Sequence, residues 1–244
     1  MERSVISLKR RPDRWDKFLK EVDKSKLYSF IKYDAVDGNL EKEYIKNLFK
    51  GWSISWRNYS FGEGGCAISH LNLWQRCIIT NKPIIVFEDD VKFCDSFEKV
   101  LKEVLQEINE RDKDWGIIWL AWHTGKFLPD SSTSLTVRLC PKDLHSTSYH
   151  SLYTNMDTYT LYKEYKITGW FGAGTAAYII SPKAAYILYQ NIKTYGFVTP
   201  VDDAMMNYCD IFSQYACIPR IAWSPLFDPL NPNCIIDSDV QLIL

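Results

Sequence analysis

No run of apolar residues in this chain approaches the ~18–20 that a membrane-spanning helix needs. The opening residues, Met1-Glu-Arg-Ser-Val-Ile-Ser-Leu-Lys-Arg10, hold too short an apolar stretch for a signal-peptide core. The expectation is a cytoplasmic protein without a membrane span. The 7 cysteines are scattered and odd in number, and none falls in a C-x-x-C pair. That argues against a zinc site or a disulfide framework and for free thiols in a reducing compartment. A formal net charge of -1 leaves no basic excess, which speaks against a general nucleic-acid binder. No internal repeat, low-complexity tract or clean domain boundary interrupts the 244 residues, so one domain over 1–244 is expected. Aromatic residues, by contrast, are plentiful: 9 Trp, 15 Tyr and 12 Phe. Many must pack the core, and a surplus suits a site that stacks rings or sugar faces.

The stretch around which the rest is arranged is Lys82-Pro-Ile-Ile-Val-Phe-Glu-Asp-Asp-Val91. Four apolar residues, Ile84 to Phe87, behind a proline read as a strand buried on both faces. They run straight into Glu88, Asp89 and Asp90. Strand alternation points Glu88 and Asp90 one way and Asp89 the other. Acids at the carboxyl end of a central strand lie where open α/β sheets bind ligands, and hard oxygen donors suit Mg²⁺ or Mn²⁺. The competing reading is an acidic strand end facing water.

Around this strand the chain alternates. Ser4 to Leu8 reads as a strand, followed by the basic turn Lys9-Arg-Arg-Pro-Asp-Arg14 and a helix marked by Trp15, Phe18, Leu19 and Val22. Lys9, Arg10, Arg11 and Arg14 sit where a strand hands over to a helix, either to meet phosphate or as a solvated basic face. Ser29 to Ala35 is a second strand ending in an Asp37-Gly38 turn, and Glu41 to Phe49 a short helix. Ser60-Phe-Gly-Glu63 has the S-x-x-E capping pattern ahead of a helix with Ala67, Leu71, Trp74 and Ile78 on one face. His70 on that helix reads as a hydrogen-bonded interior histidine rather than a ligand. An amphipathic helix over Ser96 to Ile108 and a strand within Trp115 to Trp122, placed beside the earlier strands, complete an α/β pattern with a largely parallel sheet.

From His123 to about Lys166 the chain turns polar and aperiodic, a long insertion of the kind that usually carries function. Regular pattern resumes with Gly172-Ala-Gly-Thr-Ala-Ala-Tyr-Ile-Ile180, a glycine-rich entry to a strand. Ser181-Pro182 supplies an N-cap and first-turn proline for the next helix. Thr199-Pro-Val-Asp202 reads as a further T-x-x-D cap, in which Asp202 would bond its own helix and Asp203 would favour the helix N-terminus.

Taken in order, Val5-Ile-Ser-Leu-Lys-Arg-Arg-Pro-Asp-Arg14, Ala35-Val-Asp-Gly38, Gly62-Glu-Gly-Gly-Cys-Ala-Ile-Ser-His70, Val86-Phe-Glu-Asp-Asp-Val91, Gly174-Thr-Ala-Ala-Tyr-Ile-Ile-Ser181 and Pro200-Val-Asp-Asp203 resemble glycosyltransferase family 25. That family includes lipopolysaccharide-type sugar transferases and collagen hydroxylysine-type galactosyltransferases. The resemblance covers nearly the whole chain, with two departures. The first strand reads Ile-Ser-Leu-Lys where Asn-Leu is more usual, and Gly65 stands where the helix entry usually has a larger residue.

The resemblance implies a GT-A type α/β fold: a Rossmann-like, mostly parallel sheet flanked by helices, with a long polar insertion. Residues 1–122 would bind the nucleotide sugar, and 123–244 would form the acceptor side and catalytic part. It implies a UDP-hexose donor, galactose or glucose, with Mn²⁺ or Mg²⁺, and a glycan or hydroxylysine-type protein acceptor. Glu88 and Asp90 then become metal ligands, Glu88 also a ribose candidate, with Asp239 as a further ligand. Arg10, Arg11 and Arg14 become phosphate or uridine candidates, and Asp37 a ribose or uracil candidate. Asp202 or Asp203 would be the base, Asp202 by motif match, and Trp170 a sugar platform. A non-catalytic nucleotide-sugar or carbohydrate-binding module remains an alternative. A nucleotidyltransferase is another, although the Lys9-Arg-Arg-Pro12 turn lacks the glycine such an enzyme needs there.

Overall fold

A computed structural model of the chain describes residues 1–49, 60–123, 126–129, 135–139, 158–161, 165–168, 172–208, 210–218 and 220–225. Its centre is a seven-stranded sheet in the order β2-β1-β3-β12-β5-β13-β8. The strands are β1 (Glu2–Ser7), β2 (Ile31–Asp34), β3 (Ile84–Glu88), β5 (Ile117–Trp119), β8 (Thr136–Leu139), β12 (Ala177–Ile180) and β13 (Gln214–Cys217). β1, β2 and β3 are mutually parallel, and β5 pairs parallel with β13. β12 runs antiparallel between β3 and β5, and β8 antiparallel to β13 at the edge. The result is the expected Rossmann-like, mostly parallel sheet. Strands from both sides of residue 122 enter it.

Period-two alternation in buried strands explains why the sheet needs helices on both faces. Ile84 and Val86 join one core with Ile6, Trp119, Tyr178 and Ile180. Ile85 and Phe87 join a second with Val5, Ile118 and Ile179. The first core is covered by the helices α3 (Phe61–Thr80) and α5 (Pro182–Tyr195), the second by α1 (Pro12–Ser25) and α4 (Phe97–Arg111). All four apolar residues of β3 are at most 1% exposed. Burying each contributes about 1.5–3 kcal/mol, which is why this strand admits no polar residue before Glu88.

The helix starts follow local chemistry. Ser60 and Glu63 form the anticipated reciprocal box at α3: Glu63 N donates to Ser60 Oγ and Ser60 N to the Glu63 carboxylate. Ser181 caps α5, with Pro182 in its first turn. The short helix α6 (Val201–Met206) departs from expectation. Its N-cap is Pro200, no side chain caps it, and Thr199 Oγ1 donates to the Pro200 carbonyl instead.

Two further expectations change. The strand from the Trp115 to Trp122 stretch is not beside β1 or β3, because β12 comes between. Local periodicity has no term for which strands pair across the sheet, so this order is not readable from it. The polar insertion also holds regular structure among its described residues. β7 (Lys126–Pro129), β10 (Tyr165–Thr168) and β9 (Thr158–Leu161) form an antiparallel sheet, and β8 joins the main one. Smaller pairings join β6 (Trp122–His123) to β11 (Gly172–Ala173), and β4 (Lys92–Phe93) to β14 (Ala222–Trp223).

The connections place the site. From β1 the chain crosses through α1 to β2 on one side. It then returns through α2 (Lys42–Leu48) and α3 to β3 on the other. The strand order therefore reverses between β1 and β3, and a crevice opens at their carboxyl ends.

Candidate functional site

The crevice is lined from below by Ile6 to Leu8 of β1 and its extension, from one side by Ala35 to Asn39 after β2, and from the other by Cys66, Glu88 and Asp89. Close backbone approach shapes its floor. The loop after β2 is tied to α3 because Val36 N donates to Ser69 Oγ at 2.9 Å, and Ser69 Oγ donates to the Gly65 carbonyl at 2.7 Å. A Cβ on Gly65 would lie 2.5 Å from the Val36 carbonyl oxygen and 2.7 Å from Gly38 N. Here a larger residue has no room.

α1 begins at Pro12 and carries Arg14 in its first turn, where it meets the acids after β3. One nitrogen, Arg14 Nη2, lies 2.7 Å from Asp89 Oδ1 and 3.3 Å from Asp90 Oδ2. This corrects the simple alternation rule, which pointed Asp89 and Asp90 apart. β3 ends at Glu88, and the chain turns through Asp89 and Asp90, so both acids meet the same guanidinium. Burial opposes the Arg14 charge, but Asp90, Asp89 and Glu88 together hold its pKa above the ordinary value. Asp89 is buried to 5% exposure, and that burial outweighs Arg14 to raise its carboxyl.

Glu88 behaves differently. Burial pushes it up, but hydrogen bonds from His70 and Thr175, with Arg14 nearby, bring its carboxyl below the usual range. Asp90 is pushed up to about 7 by burial and by Glu88, against Arg14. Asp202 is pushed up to about 8 by burial and Asp203, with Glu88 adding to it. The same acids reach the Cys66 thiol on the crevice wall, raised by burial and then by Glu88, Asp202 and Asp90. α6, which packs against α3, thus brings Asp202 within electrostatic reach of Glu88. Asp202 Oδ1 accepts the Asp203 backbone N–H at 3.0 Å, in place of the helix cap anticipated for it. By solvent exposure Asp202 and Asp203 are both half-buried.

A divalent cation can be tested against these groups. Asp90 Oδ1 is buried and has no hydrogen-bond partner. An unpartnered carboxylate oxygen beside two further acids costs free energy unless a cation compensates. The oxygen donors of Asp90 and its neighbour Glu88 suit a hard divalent ion.

The remaining sequence candidates divide. Arg10 Nε donates to Asp37 Oδ2 at 2.6 Å, bridging the turns after β1 and β2 at the mouth of the crevice. Arg11 is turned to Asp13, holding that carboxyl down at about 2 through its hydrogen bond. Arg10 and Arg14 line the crevice. Lys9 is 77% exposed and pairs with Asp34. Asp239 and Trp170 lie outside the described residues. Cys66, Thr175 and Tyr178 were not anticipated at the site. The i, i+4 spacing of Cys66 and His70 on α3 is the signal that could have found part of this group.

Against known proteins, the profile of glycosyltransferase family 25 (LPS biosynthesis protein) matches residues 1–205. Procollagen galactosyltransferase 2 of Homo sapiens is 33% identical over 124 residues, covering 48% of this chain and 20% of that protein. A probable inactive glycosyltransferase 25 family member 3 of Bos taurus is 32% identical over 124 residues, covering 48% and 21%. The match therefore spans about a fifth of each relative's length. Among solved structures, the galactosyltransferase LgtC with donor and acceptor sugar analogs aligns over 87% of this chain and 71% of its own, at 11% identity and a TM-score of 0.38. A putative glucose-1-phosphate thymidylyltransferase from Bacillus anthracis aligns over 88% and 85%, at 10% identity and a TM-score of 0.41. With the profile match running from β1 through the Asp202-Asp203 pair, the chain belongs to glycosyltransferase family 25.

Proposed function

We infer that the chain transfers a hexose, galactose or glucose, from a UDP-sugar to an acceptor hydroxyl in a metal-dependent reaction. The observation that carries this reading is the buried, unpartnered Asp90 Oδ1 set beside Glu88, which lines the crevice. Asp90 and Glu88 would hold Mn²⁺ or Mg²⁺. Such an ion neutralises charge developing on a diphosphate leaving group. Arg14 keeps Asp89 and Asp90 in place from behind. The Arg10–Asp37 bridge stands where a nucleoside would enter, and opening it frees a cation for phosphate and a carboxylate for ribose or uracil. Asp202 is the base. It takes the proton of the acceptor hydroxyl as that oxygen attacks the anomeric carbon from the face opposite the leaving UDP. Its raised pKa, about 8, gives it proton affinity near neutral pH. The relative named procollagen galactosyltransferase favours galactose and a procollagen-like protein acceptor over other glycan acceptors.

The test is UDP release across a panel of UDP-hexoses with Mn²⁺, followed by hydroxylysine-type and glycan acceptors. Turnover that survives excess chelator overturns the metal role. A second reading, a non-catalytic nucleotide-sugar module, is favoured by the relative named as probably inactive. Metal-dependent UDP-sugar binding with no turnover on any acceptor would establish it instead.

A further inference from the structure

Cys66 and His70 stand on one face of α3, and with Glu88 they bring three ligand-type atoms within 4.8 Å of one another. Taken alone, this trio is a candidate soft-metal cage. The hydrogen bonds behind His70 decide otherwise. Trp74 Nε1 donates to the Tyr178 hydroxyl oxygen at 3.0 Å, and that oxygen lies 2.8 Å from His70 Nδ1. An indole N–H can only donate. The hydroxyl carries one proton, and among the described residues its other neighbour is Nδ1. The hydroxyl therefore donates to Nδ1, which must carry the lone pair, and the ring proton sits on Nε2. Nε2 lies 3.3 Å from Glu88 Oε1 and donates to it. Trp74, Tyr178 and His70 are all 0% exposed, so no water can take up a misdirected proton. His70 thus shows Glu88 a proton, not a lone pair. A cage using Nε2 would leave the Tyr178 hydroxyl proton without an acceptor.

We propose that His70 is a positioning residue for Glu88. Its Nε2–H holds Oε1 and so fixes the carboxylate of Glu88 where it lines the crevice, and Tyr178 and Trp74 set the tautomer that makes this possible. The chain of contacts joins α3, β12 and β3, so the end of the central strand is registered against two neighbouring elements. The inference rests on the metal-dependent reading above. Partners that orient a ligand in this way tune affinity without touching the ion.

Two measurements test it on the full chain. The first is nitrogen NMR of metal-free protein labelled at histidine, with the His70 signal assigned by its loss in His70→Gln. The expected result is a neutral ring protonated at Nε2. A ring protonated at Nδ1 overturns the proposal whether or not the chain transfers sugar. The second is calorimetric Mn²⁺ binding in the presence of UDP. His70→Gln keeps an N–H donor and should stay within about threefold of wild type, whereas His70→Leu should bind about 10–100-fold more weakly. If the leucine variant does not fold, Tyr178→Phe, which removes only the tautomer-setting hydroxyl, should weaken binding about tenfold. A purely structural role would lower the melting temperature and leave Mn²⁺ affinity unchanged, and that result overturns the proposal. Absence of Mn²⁺ binding in wild type would instead remove the functional reading on which it rests.

Discussion

Arg14 Nη2 reaches Asp89 Oδ1 at 2.7 Å inside the protein, with 12% and 5% of the two side chains exposed. This pair anchors the acidic turn to α1. Arg14→Met would leave Asp89 buried without a counter-charge, and breaking a buried pair from one side costs about 3–5 kcal/mol. The expected result is a large fall in urea midpoint. Loss of less than about 1 kcal/mol, the range of an exposed pair, would show that water reaches Asp89.

Asp90→Asn should separate stability from metal response. Burial and Glu88 already disfavour the Asp90 charge, so removing it should leave the melting temperature of the metal-free protein unchanged or higher. Mn²⁺ should then no longer raise that temperature, and UDP-hexose turnover should vanish. A variant that still responds to Mn²⁺ like wild type places the ion elsewhere.

The raised carboxyls set a pH dependence. Asp90 at about 7 and Asp202 at about 8 both stand above 3.8, the value for an unperturbed group. In the window between, the folded state keeps protons that the unfolded state has released, so metal-free stability falls as pH rises and levels off above about 8. Divalent cation should therefore raise the melting temperature more at pH 8 than at pH 5.5, because more carboxylate is available there. Equal shifts at both pH values contradict this.

Asp202→Asn should lower the rate of transfer by about 10²–10⁴-fold, the usual contribution of a positioned base, while UDP-hexose affinity changes little. Asp203→Asn should change the rate far less. The reverse order in steady-state kinetics would assign the base to Asp203.

Gly65→Ala places a methyl group 2.5 Å from the Val36 carbonyl. The helix-propensity gain of about 1 kcal/mol is smaller than the strain of displacing a backbone oxygen, typically about 1–3 kcal/mol. Thermal unfolding should show net destabilisation, and UDP affinity should weaken because the crevice wall moves. A more stable variant would mean that the loop after β2 yields freely.

Much of the fold is legible from local pattern because the causes are local. The apolar run Ile84–Phe87 can only be buried on both faces, Ser60 and Glu63 satisfy each other three residues apart, and Ser181-Pro182 starts a helix wherever that helix packs. By itself, the sequence determines these elements, the family and the acids at the end of β3. Only the tertiary structure decides which acids gather at the end of β3 and which share an arginine. Arg14 lies 75 or more residues from Asp89 and Asp90, and Tyr178 lies 108 residues from His70. Such pairs depend on β12 entering antiparallel between β3 and β5 and on α6 packing on α3. Side-chain periodicity records which face of an element is buried. It carries no record of which other element buries it, and the electrostatics of the site follow from that choice.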